Sequence, residues 1–275
     1  MMNKLAFPFL SCPLDGLPLT RQDNSVICTS GHNFDFDRKG TLNLLPVQFK
    51  KSRNPGDSKE MVLAREKFLN SGYYGPVSNT LNDLVAAHKA DTILDAGCGE
   101  GYYTQRLAAY LKNAVIVGMD ISKDAIHAAA KRSRDIQWIV GTNANIPLLP
   151  SSVDCVISLF GFPVWEEFRR ILKPGGIVIL GDSGPDHLIE LRHLLYPEIK
   201  TKPESEKVIP KGFEAPEIKR LTQQINIADA EQVADLIAMT PHQHRATKER
   251  IAEAVQHKYD GITLDVVFSI YKVTL

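Results

Sequence analysis

The stretch LDAGCGEG, residues 94–101, decides the fold of this sequence. The apolar run TILDAG that leads into it predicts a strand, and YYTQRLAAYLK after it predicts a helix. Glycines at such a turn let a ligand approach the backbone closely, at the carboxyl end of a strand where open parallel sheets bind ligands. The stretch therefore predicts an α/β fold with a ligand site at this turn.

The sequence on the carboxyl side of this turn continues the pattern. AVIVGMD, IQWIVGT, DCVISLF and IVILGD predict four further strands, with helical segments among them. Nearly continuous apolar strands that alternate with helices indicate a parallel sheet covered on both faces. IKRLTQQINI and GITLDVVFSIYKVTL then predict a hairpin-like return, which gives a mixed, Rossmann-like sheet of seven strands.

The composition narrows the class of protein. The 32 Lys and Arg residues balance 32 Asp and Glu residues, so contact with nucleic acid would need a local patch. No apolar run approaches the ~20 residues of a membrane span, and the first ten residues have no small-residue cleavage motif. Four cysteines in 275 residues fit a reducing compartment. We expect a cytoplasmic protein with no membrane partner.

The charges around the glycine loop indicate the class of ligand. A dinucleotide loop has the spacing G-x-G-x-x-G and neutralises a pyrophosphate with helix amides, whereas this loop has G-x-G-x-G with carboxylates on both sides. Acidic side chains repel phosphate but suit S-adenosyl-L-methionine, which carries an ammonium and a sulfonium. The predicted cofactor-binding residues are Asp95, Gly97, Gly99, Glu100, Gly101 and Asp120.

The prediction of a nucleoside-type cofactor depends strongly on Asp120. It ends the second predicted strand, where a carboxylate can accept hydrogen bonds from both ribose hydroxyls. The alternative is that Asp95 and Glu100 only cap the helix and the loop, which leaves Asp120 unexplained.

A cluster of metal-ligand residue types lies near the amino terminus. The spacing Cys12-x2-Asp15-x12-Cys28-x3-His32 is that of a small zinc module, with aspartate where a cysteine is expected. Zinc accepts carboxylate oxygen, so these four residues form a candidate Zn²⁺ site. Two alternatives stay open: a module without metal, or Asp35 or Asp37 in place of Asp15.

Although the charges of the whole chain balance, residues 38–56 are locally basic. Between Arg38 and Gly56 there are five basic residues and no acidic one: Arg38, Lys39, Lys50, Lys51 and Arg53. With Phe49 among them, the run is either a phosphate-tracking surface or a solvated linker. We divide the chain into a zinc-type RNA-recognition module (1–46), a basic linker and helix (47–80) and a cofactor-binding domain (81–275).

Four motifs carry a resemblance to a known class of enzymes. LDAGCGEG, VGMD, GTNANIPLLPSSVDCVISLF and LKPGGIVIL together resemble class I S-adenosylmethionine-dependent methyltransferases over residues 81–182. The resemblance implies the seven-stranded Rossmann-like sheet of that class. It also implies that Asn143, in the loop after the third strand, contacts the adenine amino group.

A narrower resemblance runs nearly end to end. The cysteine module, TLNLLPVQFKKSRNPGDSKEMVLAREKFLNSGYYGP, DAGCGEGYYT, GPDHLIEL and the MTP at 239–241 resemble the 23S ribosomal RNA guanine-N1 methyltransferases. This resemblance implies that Tyr74 and His187 lie at the methyl donor with Gly99 and Glu100. It implies a 23S ribosomal RNA hairpin as substrate and a homodimer. Asp15 departs from the family, which has the second cysteine of a CxxC there.

Methyl transfer to guanine N1 requires further side chains. The N1 proton must leave, and His187 and Asp182 are the predicted catalytic residues for it. Phe160, Phe162 and Trp165 are candidates to stack on a splayed base, although Phe160 and Trp165 also suit a core. The competing hypotheses are a small-molecule methyltransferase acting on a quinone-type precursor, and a non-catalytic RNA-binding protein that senses S-adenosylmethionine.

Overall fold

The computed structural model describes residues 8–50, 52, 54–199 and 209–274, so Lys51 and Arg53 of the basic run lie outside it. The strands in the described residues are β1 (Thr20–Gln22), β2 (Ser25–Ile27), β3 (Asn33–Asp35), β4 (Leu42–Asn43), β5 (Thr92–Ala96), β6 (Val115–Asp120), β7 (Gln137–Val140), β8 (Val153–Leu159), β9 (Leu172–Ser183), β10 (Glu217–Ile225) and β11 (Ile262–Lys272). The helices are α1 (Lys59–Asn70), α2 (Gly75–Ala87), α3 (Tyr102–Tyr110), α4 (Lys123–Arg132), α5 (Trp165–Ile171), α6 (Ile189–Leu195), α7 (Ala230–Ala238), α8 (His242–Arg245) and α9 (Lys248–Gln256).

One large sheet organises the molecule, with the strand order β10-β11-β9-β8-β5-β6-β7-β4. Strands β4 to β9 are parallel, and β11 pairs antiparallel with both β9 and β10. The seven strands from β5 to β11 are those that the sequence predicts. The eighth, β4, comes from the amino-terminal segment and pairs Leu42 with Ile139 of β7.

The glycine loop lies at the centre of this sheet. It follows β5, whose neighbours β6 and β8 lie on its two sides, so the direction of chain progression reverses here. Crevices at such a reversal, outside the carboxyl ends of parallel strands, are where open α/β sheets bind ligands. The topology therefore positions the loop for binding.

The beginnings of three helices follow ordinary capping rules. Ser58 caps α1 and Ser122 caps α4, where the Ser122 Oγ accepts a hydrogen bond from the Ala125 N–H at 3.3 Å. Helix α2 begins at Gly75, and Pro76 lies in its first turn, where proline is tolerated. Within the described ranges, no helix has the length and apolar composition needed to cross a membrane.

The core has a separate apolar cluster on each face of the sheet. Ile93 and Ile157 lie in the cluster formed with α2, α6, α7 and α9, whereas Leu94 and Val156 lie in the other cluster. The second cluster also contains buried side chains of the amino-terminal segment: Leu10, Cys12, Leu19, Val26, Cys28, Phe36, Leu42 and Leu44. This segment, which also carries the small β1-β2-β3 sheet, thus shares its core with the larger sheet.

Candidate active site and metal centre

A cavity of about 1990 Å³ runs along the carboxyl ends of the parallel strands. Pockets that hold one small ligand usually measure roughly 300–1,000 Å³, so this cavity has room for two partners. We call the part lined by residues 95–100, Asp120 and Asn143 the donor end. We call the part lined by Arg192, Tyr196, His242, His244 and Arg245 the outer end.

The glycine loop has a backbone that only glycine adopts readily. Gly97, Gly99 and Gly101 have φ angles of +95°, +56° and +82°. A Cβ added at Gly97 would meet no atom within 4 Å, so the backbone there is open to a ligand. A Cβ at Gly101 would lie 2.8 Å from the Trp138 ring. Gly97 and Gly99 line the cavity, whereas Gly101, also predicted to bind the cofactor, packs α3 closely against β7.

The Asp120 carboxylate is oriented by two backbone amides. Its Oδ2 accepts from the Gly99 N–H at 3.0 Å, and its Oδ1 accepts from the Ser122 N–H at 2.8 Å. Burial raises the pKa of Asp120 above its ordinary value. Each oxygen keeps a further lone pair, so the carboxylate can accept hydrogen bonds from a vicinal diol.

Asp95 and Glu100 have different surroundings. Asp95 Oδ2 accepts from Thr104 Oγ1 at 2.6 Å, and burial raises the pKa of Asp95 to about 7, with the carboxylates of Asp120 and Glu100 adding to the rise. Glu100 is 2% exposed and pairs with Arg132 Nη2 at 3.2 Å. Asp95 is therefore the carboxylate that a cationic ligand would stabilise most, because no basic side chain of the described residues forms an ion pair with it.

Sequence reasoning missed Arg65, a basic side chain inside the donor end. Its guanidinium forms an ion pair with Asp57, and Nη2 donates to the Met239 carbonyl at 3.1 Å. Arg65 lies one helical turn from both Met61 and Leu69, on the inward face of α1. The sequence did contain a signal for this residue, because a charged side chain on the apolar face of a helix often has a functional partner.

Tyr74 and His187 are in contact with each other and both line the cavity. The Asp265 N–H donates to His187 Nδ1 at 3.2 Å, so Nδ1 is the acceptor and Nε2 carries the proton. Tyr74 Oη lies 3.2 Å from Nε2. Burial lowers the pKa of His187 to about 4, so at neutral pH the ring is an uncharged donor. This arrangement favours a positioning role for His187 over proton acceptance.

The other two polar residues predicted from the sequence also line the cavity. Asp182 lies near the end of β9 and is half-buried. Asn143 Nδ2 donates to the Phe162 carbonyl at 3.3 Å, which leaves its Oδ1 able to accept a hydrogen bond.

The three aromatic candidates separate into two groups. Phe160 and Phe162 line the cavity and are 42% and 89% exposed. Trp165 instead packs its ring 5.1 Å from Phe213 and 4.8 Å from Tyr271, between ring centroids. Trp165 therefore has the packing role that the sequence also allowed, and it does not line the cavity.

The amino-terminal cluster brings together one ligand atom each from Cys12, Asp15, Cys28 and His32, all within 4.8 Å of one another. His32 Nδ1 lies 3.4 Å from both cysteine Sγ atoms. It also lies 3.1 Å from Asp15 Oδ2. Ligand atoms around tetrahedral zinc are separated by about 3.3–3.8 Å, so the donor set fits Zn²⁺.

The two alternative aspartates lie elsewhere. Asp37 Oδ2 is 2.8 Å from His127 Nε2 on α4, and its Oδ1 accepts from the Thr41 N–H. Asp35 lies at the end of β3, where it pairs with Ser25. Among the described residues, Asp15 is therefore the aspartate in the cluster.

Comparisons with known proteins agree with this geometry. A family profile described as "RlmA, N-terminal", a zinc ribbon, matches residues 10–53, and one described as "Methyltransferase domain" matches residues 93–176. YxjB of Bacillus subtilis (strain 168), provisionally named a 23S rRNA (guanine-N(1)-)-methyltransferase, is 32% identical over 97% of this chain and 98% of its own. The 23S rRNA (guanine(748)-N(1))-methyltransferase of Streptomyces fradiae is 28% identical, over 98% of each chain.

The zinc-ribbon profile covers the segment with the cysteine cluster, and the methyltransferase profile covers the strands and the loop that line the cavity. The relative YxjB matches over nearly the whole length of both chains. This chain belongs to the 23S ribosomal RNA (guanine-N1)-methyltransferase family.

Proposed function

We propose that the protein transfers a methyl group from S-adenosyl-L-methionine to N1 of a guanine in 23S ribosomal RNA. The observation that carries the proposal is one cavity that combines an acidic, glycine-rich end with exposed aromatic rings. Such a cavity can hold a cationic donor and a planar acceptor side by side. Most of the catalysis then comes from their alignment.

The donor end supplies a group for each part of the cofactor, which brings an activated methyl group on its sulfonium. Asp120 would accept hydrogen bonds from the ribose hydroxyls, and Asn143 Oδ1 would accept one from the adenine amino group. Asp95 would offset the positive charge of the ammonium group of the amino-acid moiety. Arg65 is the cation available to the carboxylate of that moiety.

Tyr74 and His187 act together at the same end. His187 donates from Nε2 to the Tyr74 oxygen, so the tyrosine proton is free for the cofactor. Because His187 already carries its proton on Nε2, Asp182 is the better candidate to accept the N1 proton of guanine. The negative charge of Asp182 suits that role.

The acceptor must be an unpaired base. Guanine N1 donates a hydrogen bond in a Watson–Crick pair, so the base must leave any duplex before N1 is methylated. Phe162 offers an exposed ring for stacking, and Phe160 lies beside His187 with ring centroids 6.0 Å apart. These requirements favour a guanine in the loop of a 23S ribosomal RNA hairpin.

Zn²⁺ would be held by Cys12, Asp15, Cys28 and His32. All four positions are protein ligands, so the role is structural rather than catalytic. Elemental analysis of the purified chain should find one equivalent of zinc, and Asp15→Ala should lose it. Asp15→Cys should keep it, because a thiolate can replace the carboxylate.

The proposal also covers the roles of the three chain segments, the cellular location and the oligomeric state. Residues 1–46 act as the RNA-presenting module, 47–80 as the connecting segment and 81–275 as the catalytic domain, in the cytoplasm where ribosomal RNA is modified. Exposed apolar side chains near the module, Leu14, Leu17, Val47 and Phe49, support a homodimer contact.

The test is mass spectrometry of nucleosides from 23S ribosomal RNA incubated with the full-length protein and methyl-deuterated S-adenosylmethionine. The expected product is deuterated 1-methylguanosine, and Asp120→Asn is the matched, weakened variant. Label in another nucleoside, or no label with folded wild-type protein, would contradict the proposal. Methylation of a small quinone-type acceptor instead would support the competing hypothesis.

A further inference from the structure

The outer end of the cavity contains an arginine that is only partly used by the protein. Arg192 Nη1 donates to the Pro185 carbonyl at 2.7 Å and to the His187 carbonyl at 3.4 Å. No carboxylate of a described residue forms an ion pair with it, so Nε and Nη2 keep three N–H donors. A half-buried guanidinium without an acidic partner is suited to an anionic ligand.

A second arginine is brought toward Arg192 by the packing of α8 beside the end of α6. Tyr196 Oη lies 2.7 Å from His242 Nδ1, with Arg192 one turn before Tyr196 and Arg245 one turn after His242. Burial lowers the pKa of His242 to about 4, and the charges of both Arg192 and Arg245 add to this effect. Two guanidinium groups therefore act on one imidazole. His242 therefore stays neutral at pH 7 and carries one ring N–H.

Arg245 itself is exposed at the end of α8 and lines the cavity. Within the described ranges it has no ion-pair partner. Glu198 is the acidic side chain that lines this end, and it is exposed to solvent. The outer end thus combines two arginines and neutral N–H donors, opposite in sign to the carboxylates of the donor end.

We propose that the outer end binds a phosphodiester group of the RNA substrate next to the target guanine, with Arg192 and Arg245 as its two cations. The inference rests on the proposed function and adds to it the part of the acceptor that this wall recognises. A small neutral acceptor has no group for two arginines, whereas every nucleotide of RNA has a phosphate.

The contact of Arg192 with the His187 carbonyl links the phosphate site to the position of the methyl donor. The same side chain that meets the phosphate also holds the loop carrying His187 at the donor end. Phosphate binding therefore fixes the nucleotide relative to the methyl donor.

The experiment measures binding of a 23S ribosomal RNA hairpin by full-length wild type and Arg245→Gln over a series of salt concentrations. Arg134→Gln is the matched control, because Arg134 is exposed and lies outside the cavity. Arg245→Gln should weaken RNA binding about tenfold and reduce the slope of log affinity against log salt by about 0.7. Its affinity for S-adenosylmethionine should stay within about twofold of wild type, because Arg245 lies outside the donor end.

A second arm uses a hairpin with one neutral methylphosphonate linkage beside the target guanine. Wild type should bind it at least as weakly as Arg245→Gln binds the natural hairpin, because the neutral linkage removes the contacts of both arginines. The losses from the variant and from the neutral linkage should be clearly less than additive. Equal salt slopes for wild type and Arg245→Gln, or additive losses, would overturn the inference while leaving methylation intact. Absence of RNA methylation by wild type would instead contradict the proposed function.

Discussion

The two ends of the cavity differ in charge and in how the chain builds them. The donor end contains the buried Asp95 near the end of β5 and the half-buried Asp120 at the end of β6. Thr104 holds Asp95, and two backbone amides hold Asp120. The outer end is made of arginine and histidine side chains on α6 and α8, exposed or half-buried. One end thus suits a small cation and the other a polyanion, so a single cavity can distinguish its two substrates by charge.

Substitution of Asp120 should have the largest effect, and it should affect ligand binding at the donor end only. Asp120→Asn should weaken S-adenosylmethionine binding about 100-fold, because charged hydrogen bonds to the ribose are lost, while leaving hairpin binding unchanged. Calorimetry of each ligand measures this. Asp124→Asn, exposed on the following helix, is the control. Equal losses for both ligands would show that the ends are not independent.

His187, at the donor end, should make the free energy of unfolding depend on pH. Its folded pKa of about 4 is below the ordinary 6.5, so the unfolded chain gains the proton first. Stability is then full above pH 6.5 and falls toward pH 4, by about 1–2 kcal/mol between pH 7 and 5. Denaturant unfolding should show this slope in wild type and in the His193→Gln control, and a smaller slope in His187→Gln. Identical slopes in all three proteins would refute the prediction.

A smaller effect concerns the pH dependence of donor binding. Asp95 has a pKa of about 7 in the free protein, and a bound cation favours its ionised form, so binding releases a proton. Affinity for S-adenosylmethionine should therefore rise about tenfold from pH 6 to pH 8 and level off above. Asp95→Asn should bind more weakly and keep only the titration of the ligand itself. An unchanged profile in Asp95→Asn would rule out this role.

The smallest effect is expected at Phe162. Phe162→Ala should raise the KM for the RNA hairpin about fivefold through loss of base stacking, with S-adenosylmethionine affinity unchanged. Tyr110→Ala, an exposed aromatic on α3 outside the cavity, is the matched control. A similar change in both variants would point to a nonspecific surface effect.

The donor end was largely predictable from sequence, whereas the outer end was not. Asp95, Gly97 and Gly99 follow one strand, so a local pattern identifies them. Arg192 and Arg245 come together only through the packing of α6 and α8, for which the sequence holds no spacing rule. The assignment of each donor-end residue to a part of the cofactor stays a prediction.

The strand β4 shows a second limit of sequence reasoning. Two residues, Leu42 and Asn43, are too few for an alternating pattern, and their partner strand lies nearly 100 residues away. Because the module shares a core with the sheet, deletion of residues 1–60 would expose apolar surface and remove a strand. Point variants are therefore the better probes of the module.

The most direct test of the account is whether the cavity holds donor and RNA together. Sinefungin, a non-reactive analogue with an ammonium in place of the sulfonium, is titrated by calorimetry into full-length protein saturated with the hairpin. The account predicts one-to-one binding with an affinity equal to or greater than that of the free protein. Competition between sinefungin and the hairpin would contradict it.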